Sequence, residues 1–386
     1  MTPSGIGLGF AARLSALYAA LFVLSGVQLP FFPVWLKAKG LDAATIGLVL
    51  ALPMVVRVAA IPFATRAADR RDALRATIVL ACAFSVAGFA LLGFADSVPA
   101  IFAAYALASL AFTPIMPLTD AYALKGLAAR GRAYGPVRLW GSASFILGTF
   151  AAGFAADAFA PRHLIWLIVG AAVLMAVAAL TLAPLAGGAA PAEQAPPRRL
   201  LGDRTFMAVV AAASLIQASH AVYYGFSALA WRAQGLDGAA IAALWALGVI
   251  AEIVLFAVQA RLPPFFTPLR LLTIGALGGA LRWTAMAFDP PAAALPALQI
   301  LHAATFGASH LGALIFIARH APPGQAATAQ GYYAIAGGLA MAGATALSGW
   351  LYAGFGLRAY GAMALMAVAG GACAVVTSRI GAVAVR

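Results

Sequence analysis

Residues 10–36 read FAARLSALYAALFVLSGVQLPFFPVWL, and within this stretch only Arg13 is charged. An α-helix rises about 1.5 Å per residue, so about 20 apolar residues cross the roughly 30 Å hydrocarbon core of a bilayer. The run is long enough to span a membrane. It is also longer than the apolar region of a cleavable signal peptide, which has about 7–15 residues. We therefore predict that it remains in the protein as a first transmembrane helix.

The rest of the chain has the same character. Of 386 residues, 64% are hydrophobic and 9% are charged, whereas soluble domains carry about 25% charged residues. The mean hydropathy is +0.97, so the chain needs lipid as its solvent. The net charge of +13 does not indicate a nucleic-acid partner, because the basic residues are scattered singly between apolar runs. Cys82 and Cys373 lie inside apolar runs and are interpreted as packing residues.

Apolar windows of this kind recur along the whole sequence and predict an all-α membrane protein with twelve transmembrane helices. These predicted helices, called spans 1 to 12, cover residues 10–36, 44–66, 73–94, 98–124, 133–157, 162–184, 205–231, 239–260, 269–288, 293–318, 326–353 and 358–379. The longest polar interruption, 185–204, is rich in Pro, Gly and Ala, which is typical of a flexible linker. It separates a six-helix bundle at 1–184 from a second one at 205–386.

The distribution of Lys and Arg predicts the orientation in the membrane. One set lies in the even-numbered connections and at the termini: Arg13, Arg66, Arg70, Arg71, Arg75, Lys125, Arg130, Arg132, Arg198, Arg199, Arg204, Arg261, Arg270, Arg319, Arg379 and Arg386. A much smaller set lies in the odd-numbered connections: Lys37, Lys39, Arg162, Arg232 and Arg358. The positive-inside rule then predicts that both termini and the linker 185–204 are cytoplasmic.

A short repeat relates the two predicted bundles. Gly40-Leu41-Asp42 matches Gly235-Leu236-Asp237 at an offset of 195 residues, and each triplet stands between a first and a second span. Duplicated halves that surround a site near the bilayer midplane are a recurrent plan among transporters. The repeat therefore favours two pseudo-symmetric halves and transport as the function.

Ionisable side chains inside a membrane cost several kcal/mol each and usually mark functional sites. Apart from residues at the ends of the predicted spans, they are Arg57, Asp120, Arg138, His220, Glu252, Arg282, His302 and His310. Asp120 and Arg138 lie nine residues either side of Ala129, at matched depth on neighbouring antiparallel spans, so they can pair. Asp120 is five positions from Lys125, so a cytoplasmic gate and a midplane site remain equally open.

Glu252 and Arg282 form a second matched pair, fifteen residues either side of Thr267 and well inside the membrane. We predict that they form a functional ion pair rather than a packing contact. At the repeat offset Glu252 aligns with Arg57, so the two halves carry opposite charges at equivalent positions.

Histidine is the side chain whose charge changes most readily near neutral pH, so the three histidines are candidate proton carriers. Gln217 and His220 are three residues apart on one face of span 7, with Tyr224 one turn further. In an ideal α-helix His302 and His310 are about 80° apart around span 10. The sequence has neither an HExxH motif nor paired cysteines, so no metal site is predicted.

Residues between spans 2 and 3 resemble the cytoplasmic loop motif of the major facilitator superfamily, G-x-x-x-D-R/K-x-G-R/K-R/K. Asp69 and Arg70 match its acid and first base, and Arg75 follows them; Thr65 and Asp72 replace its two glycines. A closer resemblance is to the phenylpropionate permease-like branch, relatives of lactose permease and of nucleoside–proton symporters. It rests on YGPVRLWGS at 134–142, SLIQASHAVYYGF at 214–226 and LHAATFGASH at 301–310.

This resemblance implies the major facilitator fold, a central cavity lined by spans 1, 4, 7 and 10, and coupling to a proton gradient without a cofactor. Lactose permease has an acid in span 4, an Arg in span 5, an acid in span 8, an Arg in span 9 and a His in span 10. The residues of this chain that match them are Asp120, Arg138, Glu252, Arg282 and His302. Where that relative has a proton-bearing Glu one turn later, this chain has Thr305, so Glu252 or a histidine would carry the proton.

We therefore predict a secondary transporter, and not an enzyme, that takes up a small organic acid with a proton by alternating access. An aromatic, phenylpropanoid-like carboxylate is the expected substrate, because the embedded arginines exceed the acids and guanidinium binds carboxylate well. Proton symport of a nucleoside or sugar, and drug efflux by antiport, are the alternatives. The candidate residues for substrate and proton are Gln28, Arg57, Asp120, Arg138, Gln217, His220, Tyr224, Glu252, Arg282, His302 and His310. The expected setting is a monomer in a bacterial inner membrane.

Overall fold

The computed structural model describes residues 9–185, 198–322 and 325–384, and in these residues the regular structure is helical. The α-helices are α1 Phe10–Ala38, α2 Ala43–Arg70, α3 Leu74–Gly93, α4 Val98–Phe112, α5 Ile115–Ala128, α6 Gly135–Ala158, α7 Leu164–Leu180, α8 Arg198–Gly202, α9 Arg204–Ala218, α10 Ala221–Ala233, α11 Gly238–Val258, α12 Pro268–Ala287, α13 Leu295–Ile300, α14 Ser309–His320, α15 Ala326–Phe355 and α16 Tyr360–Ala384.

Helical segments lie at each of the twelve predicted spans. By length and composition, ten segments of the described chain can cross a membrane. The last of these, Thr328–Thr377, contains both α15 and α16, which meet at the 3₁₀ turn Gly356–Ala359. Span 9 corresponds to α12, which is not among the ten and which carries Arg270 and Arg282 in its 20 residues. The chain is thus a multi-pass membrane protein, and α12 holds a predicted functional charge.

The predicted linker falls partly outside the described residues, since 186–197 are not among them. Residues 1–8 and 385–386, at the termini predicted to be cytoplasmic, also lie outside. In the part that is described, Arg198–Gly202 forms the short helix α8, and Asp203 caps α9 by accepting hydrogen bonds from the backbone amides of Thr205 and Phe206.

Spans 4, 7 and 10 are broken helices, a feature that the sequence pattern did not predict. Span 4 is interrupted at Thr113 and Pro114, where proline lacks the backbone N–H that a continuous helix needs. In span 7 the break falls at Ser219 and His220, and the Ser219 hydroxyl donates to Ile216 O at 2.6 Å. Span 10 contains a π-helix, Ala303–Ala308, between α13 and α14. Irregular backbone of this kind often marks binding sites in transporters.

The described chain divides into two compact units. The first comprises its residues within 1–41, 55–189 and 235–242. Small residues let its helices approach closely: a Cβ on Gly26 of α1 would lie 2.2 Å from Phe145 O of α6, and Thr149 Oγ1 donates to Gly26 O at 3.1 Å. Such contacts provide helix association in membranes, where apolar burial alone cannot.

The second unit comprises the described residues within 42–54, 190–234 and 243–386. Here α12 and α16 pack through glycines, since a Cβ on Gly279 would lie 2.9 Å from the Ala367 side chain. Helix α9 packs on α16 in the same way, at Gly370 against Ile216. Around these contacts lies an apolar core that includes Phe206, Leu272 and Ile317. The division at 1–184 and 205–386, predicted from the polar interruption 185–204, remains a prediction.

Candidate functional site

Arg282 lies at the centre of a polar cluster inside the second unit. Its side chain is completely buried. Nη1 donates to Nδ1 of His302 and to Oγ1 of Thr305, both at 3.2 Å, and Nη2 donates to Oε1 of Gln299 at 2.6 Å. The guanidinium carbon also lies 4.7 Å from the ring centre of Tyr223 and 4.6 Å from that of Trp283. All of these partners are uncharged, so a buried cation is held here by neutral acceptors and aromatic faces.

The hydrogen bond from Arg282 determines the tautomer of His302. A guanidinium can only donate, so Nδ1 of His302 must be an unprotonated acceptor. The ring hydrogen is therefore on Nε2, and this atom lies 3.7 Å from Oε2 of Glu252. That separation exceeds a normal hydrogen bond but allows strong electrostatic attraction in a poorly solvated site. His302 thus connects Arg282 with Glu252 while remaining neutral itself.

His220 is fixed as the opposite tautomer by a second chain of hydrogen bonds. Its Nδ1 lies 3.0 Å from Gln217 O, which can only accept, so Nδ1 carries the hydrogen. Nε2 then accepts from the Thr305 hydroxyl at 3.0 Å, and the same hydroxyl oxygen accepts from Arg282. A proton added to Nε2 of His220 would break this chain. His220 therefore joins the cluster through Thr305, and its role as a proton carrier remains a prediction.

Aromatic side chains surround these polar groups. Tyr224 stacks on His220 with ring centres 5.5 Å apart, and Tyr223 stacks on Trp245 at 4.6 Å. Trp283 stacks on Tyr360 at 5.8 Å and donates from Nε1 to Ser219 Oγ at 2.9 Å. These rings enclose the buried part of the cluster, so the electrostatic interaction between Arg282 and His302 is weakly screened.

His302 and His310 lie on one face of span 10, so the 80° separation predicted for an ideal α-helix is wrong. Phe306 stacks between them, with ring centres 5.2 Å from His302 and 5.9 Å from His310. The reason is the π-helix Ala303–Ala308, whose wider turn accommodates an extra residue and rotates His310 back into line. His310 also contacts Tyr333, with 3.4 Å between Nδ1 and the hydroxyl oxygen.

The predicted ion pair between Glu252 and Arg282 is indirect. Both side chains belong to the cluster, and His302 stands between them as described above. Glu252 is partly accessible, with 20% of its side chain exposed, whereas Arg282 is buried. Of the two, the carboxylate is therefore the group that solvent can reach.

In the first unit, Asp120 and Arg138 do not form the predicted ion pair. Asp120 Oδ1 accepts from the hydroxyls of Tyr18 at 2.5 Å and Tyr134 at 2.8 Å. The Arg138 guanidinium instead lies over the ring of Phe22, 4.2 Å from its centre. Matched depth along two helices places both side chains in one region, but the two tyrosines satisfy the carboxylate and leave the guanidinium on an aromatic face.

Two further predicted site residues are in the first unit. Gln28 donates from Nε2 to the Tyr105 hydroxyl at 2.9 Å, so it lies in a polar patch of spans 1 and 4. Arg57 is half-buried on α2. That Gln28 and Arg57 contact substrate remains a prediction.

The residues of the cytoplasmic loop motif have distinct structural roles. Asp69 and Arg70 are exposed at the end of α2. Asp72 adopts φ +43°, a conformation that favours glycine, which explains why the family motif has glycine at this position. Arg75 donates from Nε to Leu182 O at 2.6 Å and from Nη2 to Leu180 O at 3.3 Å, so it caps the carboxyl end of α7.

Several residues of the site were missed in the sequence. Gln299 and Thr305 stand three residues before and after His302, a spacing that places polar groups along one side of a helix and that could have been noticed. Tyr18 and Tyr134 offered no comparable signal, because a tyrosine that binds a carboxylate looks like any aromatic residue of an apolar span. Among the described residues, no group of three His, Cys, Asp or Glu is arranged to hold a metal ion.

Comparison with known proteins establishes the family. The model of the MFS_1 like family matches residues 11–362, which is most of the chain. The chain belongs to the MFS_1 like family. It is accordingly a membrane transporter with the major facilitator fold, and the predictions of fold class, of a transporter and of a protein that is not an enzyme are confirmed.

Two relatives are similar to this MFS_1 like protein over most of their length. It is 33% identical over 362 residues to the "Probable 3-phenylpropionic acid transporter" of Escherichia coli (strain K12), covering 91% of this chain and 93% of the relative. It is 32% identical over 358 residues to the "Maltose permease" of Geobacillus stearothermophilus, covering 89% of each.

Solved structures agree on the fold. The nucleoside transporter NupG aligns with a TM-score of 0.82 at 15% identity, covering 96% of this chain and 99% of that one. A bacterial homolog of the human lysosomal transporter Spinster, inward-facing and occupied, aligns with a TM-score of 0.73 at 14% identity, covering 96% of each chain. At such identities the likeness is one of architecture.

Proposed function

We propose that this transporter takes up a small organic acid, an aromatic carboxylate in particular, together with a proton. The observation that carries the proposal is the arrangement of Glu252, His302 and Arg282. A carboxylate that solvent reaches is joined through one neutral imidazole to a buried guanidinium. Titratable groups in such surroundings are typical of proton-coupled sites in membranes.

The fixed tautomer of His302 favours Glu252 as the group that takes the proton. His302 cannot be protonated at Nδ1 without losing the hydrogen bond from Arg282, which would leave a buried cation with one acceptor fewer. Glu252 can take a proton while the donors of Arg282 keep their partners. In this proposal Glu252 is the proton carrier, and His302 is a positioning residue that connects it to Arg282.

Protonation of Glu252 changes the net charge of these three groups. With Glu252 ionised and His302 neutral, the charges of Glu252 and Arg282 cancel. With Glu252 protonated, the three groups together carry one positive charge, and the local potential favours an anion. Proton binding at Glu252 thus favours an anion near these three groups, and symport requires such favourable coupling between the proton and the substrate.

Arg138 is the best candidate to bind the substrate carboxylate. It is half-buried, and within the described part of the chain it forms neither a hydrogen bond nor an ion pair. Arg282 has used three of its N–H donors on protein groups and is completely buried. A guanidinium that keeps its donors available can bind a carboxylate through two parallel hydrogen bonds.

The proposed class of substrate is inferred from the E. coli relative that is named for 3-phenylpropionic acid. Of the two relatives above, it is the more similar to this chain. A sugar is the alternative, supported by similarity to a maltose permease. The bacterial relatives support a location in a bacterial inner membrane. The basic residues of the even-numbered connections support cytoplasmic termini. We propose a monomer, as the major facilitator resemblance implies.

The purified protein in proteoliposomes tests the proposal. Labelled 3-phenylpropionate should accumulate against its gradient when the outside is more acidic than the inside, and it should only equilibrate without a pH gradient. Saturable equilibration that ignores the pH gradient would contradict proton coupling. Transport of maltose or a nucleoside with no transport of aromatic acids would contradict the substrate class, and accumulation driven by an opposite gradient would indicate antiport.

A further inference from the structure

The π-helix of span 10 is fastened by side chains, and this sets the position of His302. A π-turn leaves backbone carbonyls with poor partners inside a helix. The Ser309 hydroxyl shares its single hydrogen between two carbonyl oxygens, Thr305 O at 2.7 Å and Phe306 O at 3.0 Å. Gln217 of α9 donates from Nε2 to Phe306 O at 3.1 Å and to Ser309 Oγ at 2.9 Å.

These hydrogen bonds use both donors of the Gln217 amide. Its Nε2 has two hydrogens, and the two contacts above accept them. Ser309 is completely buried, so neither water nor a substrate replaces the amide at that hydroxyl. The sequence predicted Gln217 as a candidate residue for substrate or proton, but its two donors are directed at span 10, one to Phe306 O and one to the Ser309 hydroxyl.

The register of the π-helix controls the surroundings of Glu252 on two sides. His302, immediately before the π-helix, lies between Arg282 and Glu252. Gly307, within the π-helix, packs so closely on α11 that a Cβ there would lie 3.6 Å from Glu252 Cγ and 2.9 Å from Leu255 Cδ2. If the π-turn relaxed to α-helical geometry, the residues beyond it would rotate by about 100° relative to His302.

We propose that Gln217 and Ser309 are positioning residues for proton coupling: they clamp the π-helix in the register that holds His302 between Arg282 and Glu252. The inference rests on the proposed role of Glu252 as proton carrier. Loss of the clamp lets span 10 change register, so that Glu252 loses its connection to Arg282 while the carboxylate itself remains.

The test compares Gln217→Ala and Ser309→Ala with Ser214→Ala. Ser214 is a matched control, because it is a buried serine on α9, one turn before Gln217, whose hydroxyl has no hydrogen-bond partner among the described residues. Two quantities are measured in proteoliposomes: substrate exchange as a function of pH, and the KM of exchange at a pH where it is maximal. We expect exchange by both clamp variants to persist to a pH about one unit higher than in wild type. Their KM should lie within about twofold of the wild-type value. Ser214→Ala should match wild type in both quantities.

A readout independent of transport separates this inference from the proposed function. Infrared titration of the carboxyl band that disappears in Glu252→Gln follows the protonation of Glu252 directly. If wild type shows no such titration, the proposed function fails. If Glu252 titrates but its midpoint is unchanged in Gln217→Ala and Ser309→Ala, the clamp is contradicted and Gln217 is a packing residue. If Gln217→Ala raises KM without moving the pH profile, the clamp is also contradicted and Gln217 is a substrate ligand.

Discussion

Nη1 of Arg282 lies 3.2 Å from Nδ1 of His302, and this single contact fixes which ring nitrogen of the histidine bears hydrogen. The hydrogen bonds of Arg282 go to His302, Thr305 and Gln299 rather than to an acid, and His302 accepts as a neutral imidazole. The consequence is a directional connection in which the other ring nitrogen faces Glu252.

The first prediction separates the two roles of His302. In His302→Asn the side-chain carbonyl can occupy the place of Nδ1 and accept from Arg282, but the shorter side chain does not extend to Glu252. His302→Ala removes the acceptor as well, and an unsatisfied buried donor costs about 1–3 kcal/mol. We expect His302→Ala to unfold at a clearly lower temperature in detergent than His302→Asn, and both to lose gradient-driven accumulation. Equal stability of the two variants would show that Arg282 does not depend on this acceptor.

The second prediction concerns Arg138 as the anchor of the substrate carboxylate. Lysine keeps the charge but lacks the planar pair of donors and the stacking on Phe22. Arg138→Lys should raise the KM for the organic acid by about tenfold, with a smaller change in maximal rate. Arg132→Lys, at an exposed residue of the neighbouring connection, is the control and should match wild type. An unchanged KM in Arg138→Lys would assign the carboxylate to another group.

A third prediction tests the packing of α1 on α6. A Cβ on Gly26 would lie 2.2 Å from Phe145 O, so Gly26→Ala must separate two backbones. We expect a loss of about 1–3 kcal/mol of stability, as for other overpacked sites. The matched control is Gly170→Ala on α7, where a Cβ meets nothing within 4 Å. Alanine favours a helix over glycine, so this variant should be unchanged or slightly more stable by thermal unfolding in detergent.

The fourth prediction concerns Asp203, just before α9 and outside the predicted spans. Partial burial opposes ionisation, but the Phe206 amide, the His320 side chain at 2.7 Å and the Thr205 amide together lower the pKa of Asp203 below its ordinary value. A lowered pKa means that the ionised carboxylate stabilises the fold at neutral pH, and that this contribution is lost as pH falls through the folded-state pKa.

Asparagine retains an oxygen that can cap α9, so Asp203→Asn removes mainly the charge, whereas Asp203→Ala removes the cap as well. Melting temperatures at pH 7 should therefore fall in the order wild type, Asp203→Asn, Asp203→Ala. The gap between wild type and Asp203→Asn should narrow as the pH is lowered towards the range in which Asp203 is protonated. A gap that widens on acidification would mean that the ionised carboxylate does not stabilise the fold.

Helix positions were predictable because lipid requires long apolar runs, and the ends of α1 and α3 fall within two residues of the predicted spans 10–36 and 73–94. Helix irregularities were not predictable in this way. Gln217 donates to Phe306 O in the π-helix from 89 residues away, a tertiary contact that no local pattern contains. The stacking of His302 and His310 on Phe306 follows from that irregularity.

Pairing of charges was predictable only in part. Equal depth on antiparallel helices brought Glu252 and Arg282 into one cluster, as expected, but depth does not specify what stands between two side chains. His302 fills that place. The same reasoning failed for Asp120 and Arg138, because Tyr18 and Tyr134 compete for the carboxylate and helical depth says nothing about such competitors.

Proton coupling through Glu252 is tested by the Glu252→Gln variant in proteoliposomes, assayed for both accumulation and exchange of 3-phenylpropionate. Glutamine keeps the size of the side chain and mimics the protonated carboxyl, so we predict that accumulation driven by a pH gradient disappears. Exchange should remain and should no longer depend on pH in the range where wild type does. Gradient-driven accumulation at the wild-type level in Glu252→Gln would contradict the assignment of the proton to Glu252.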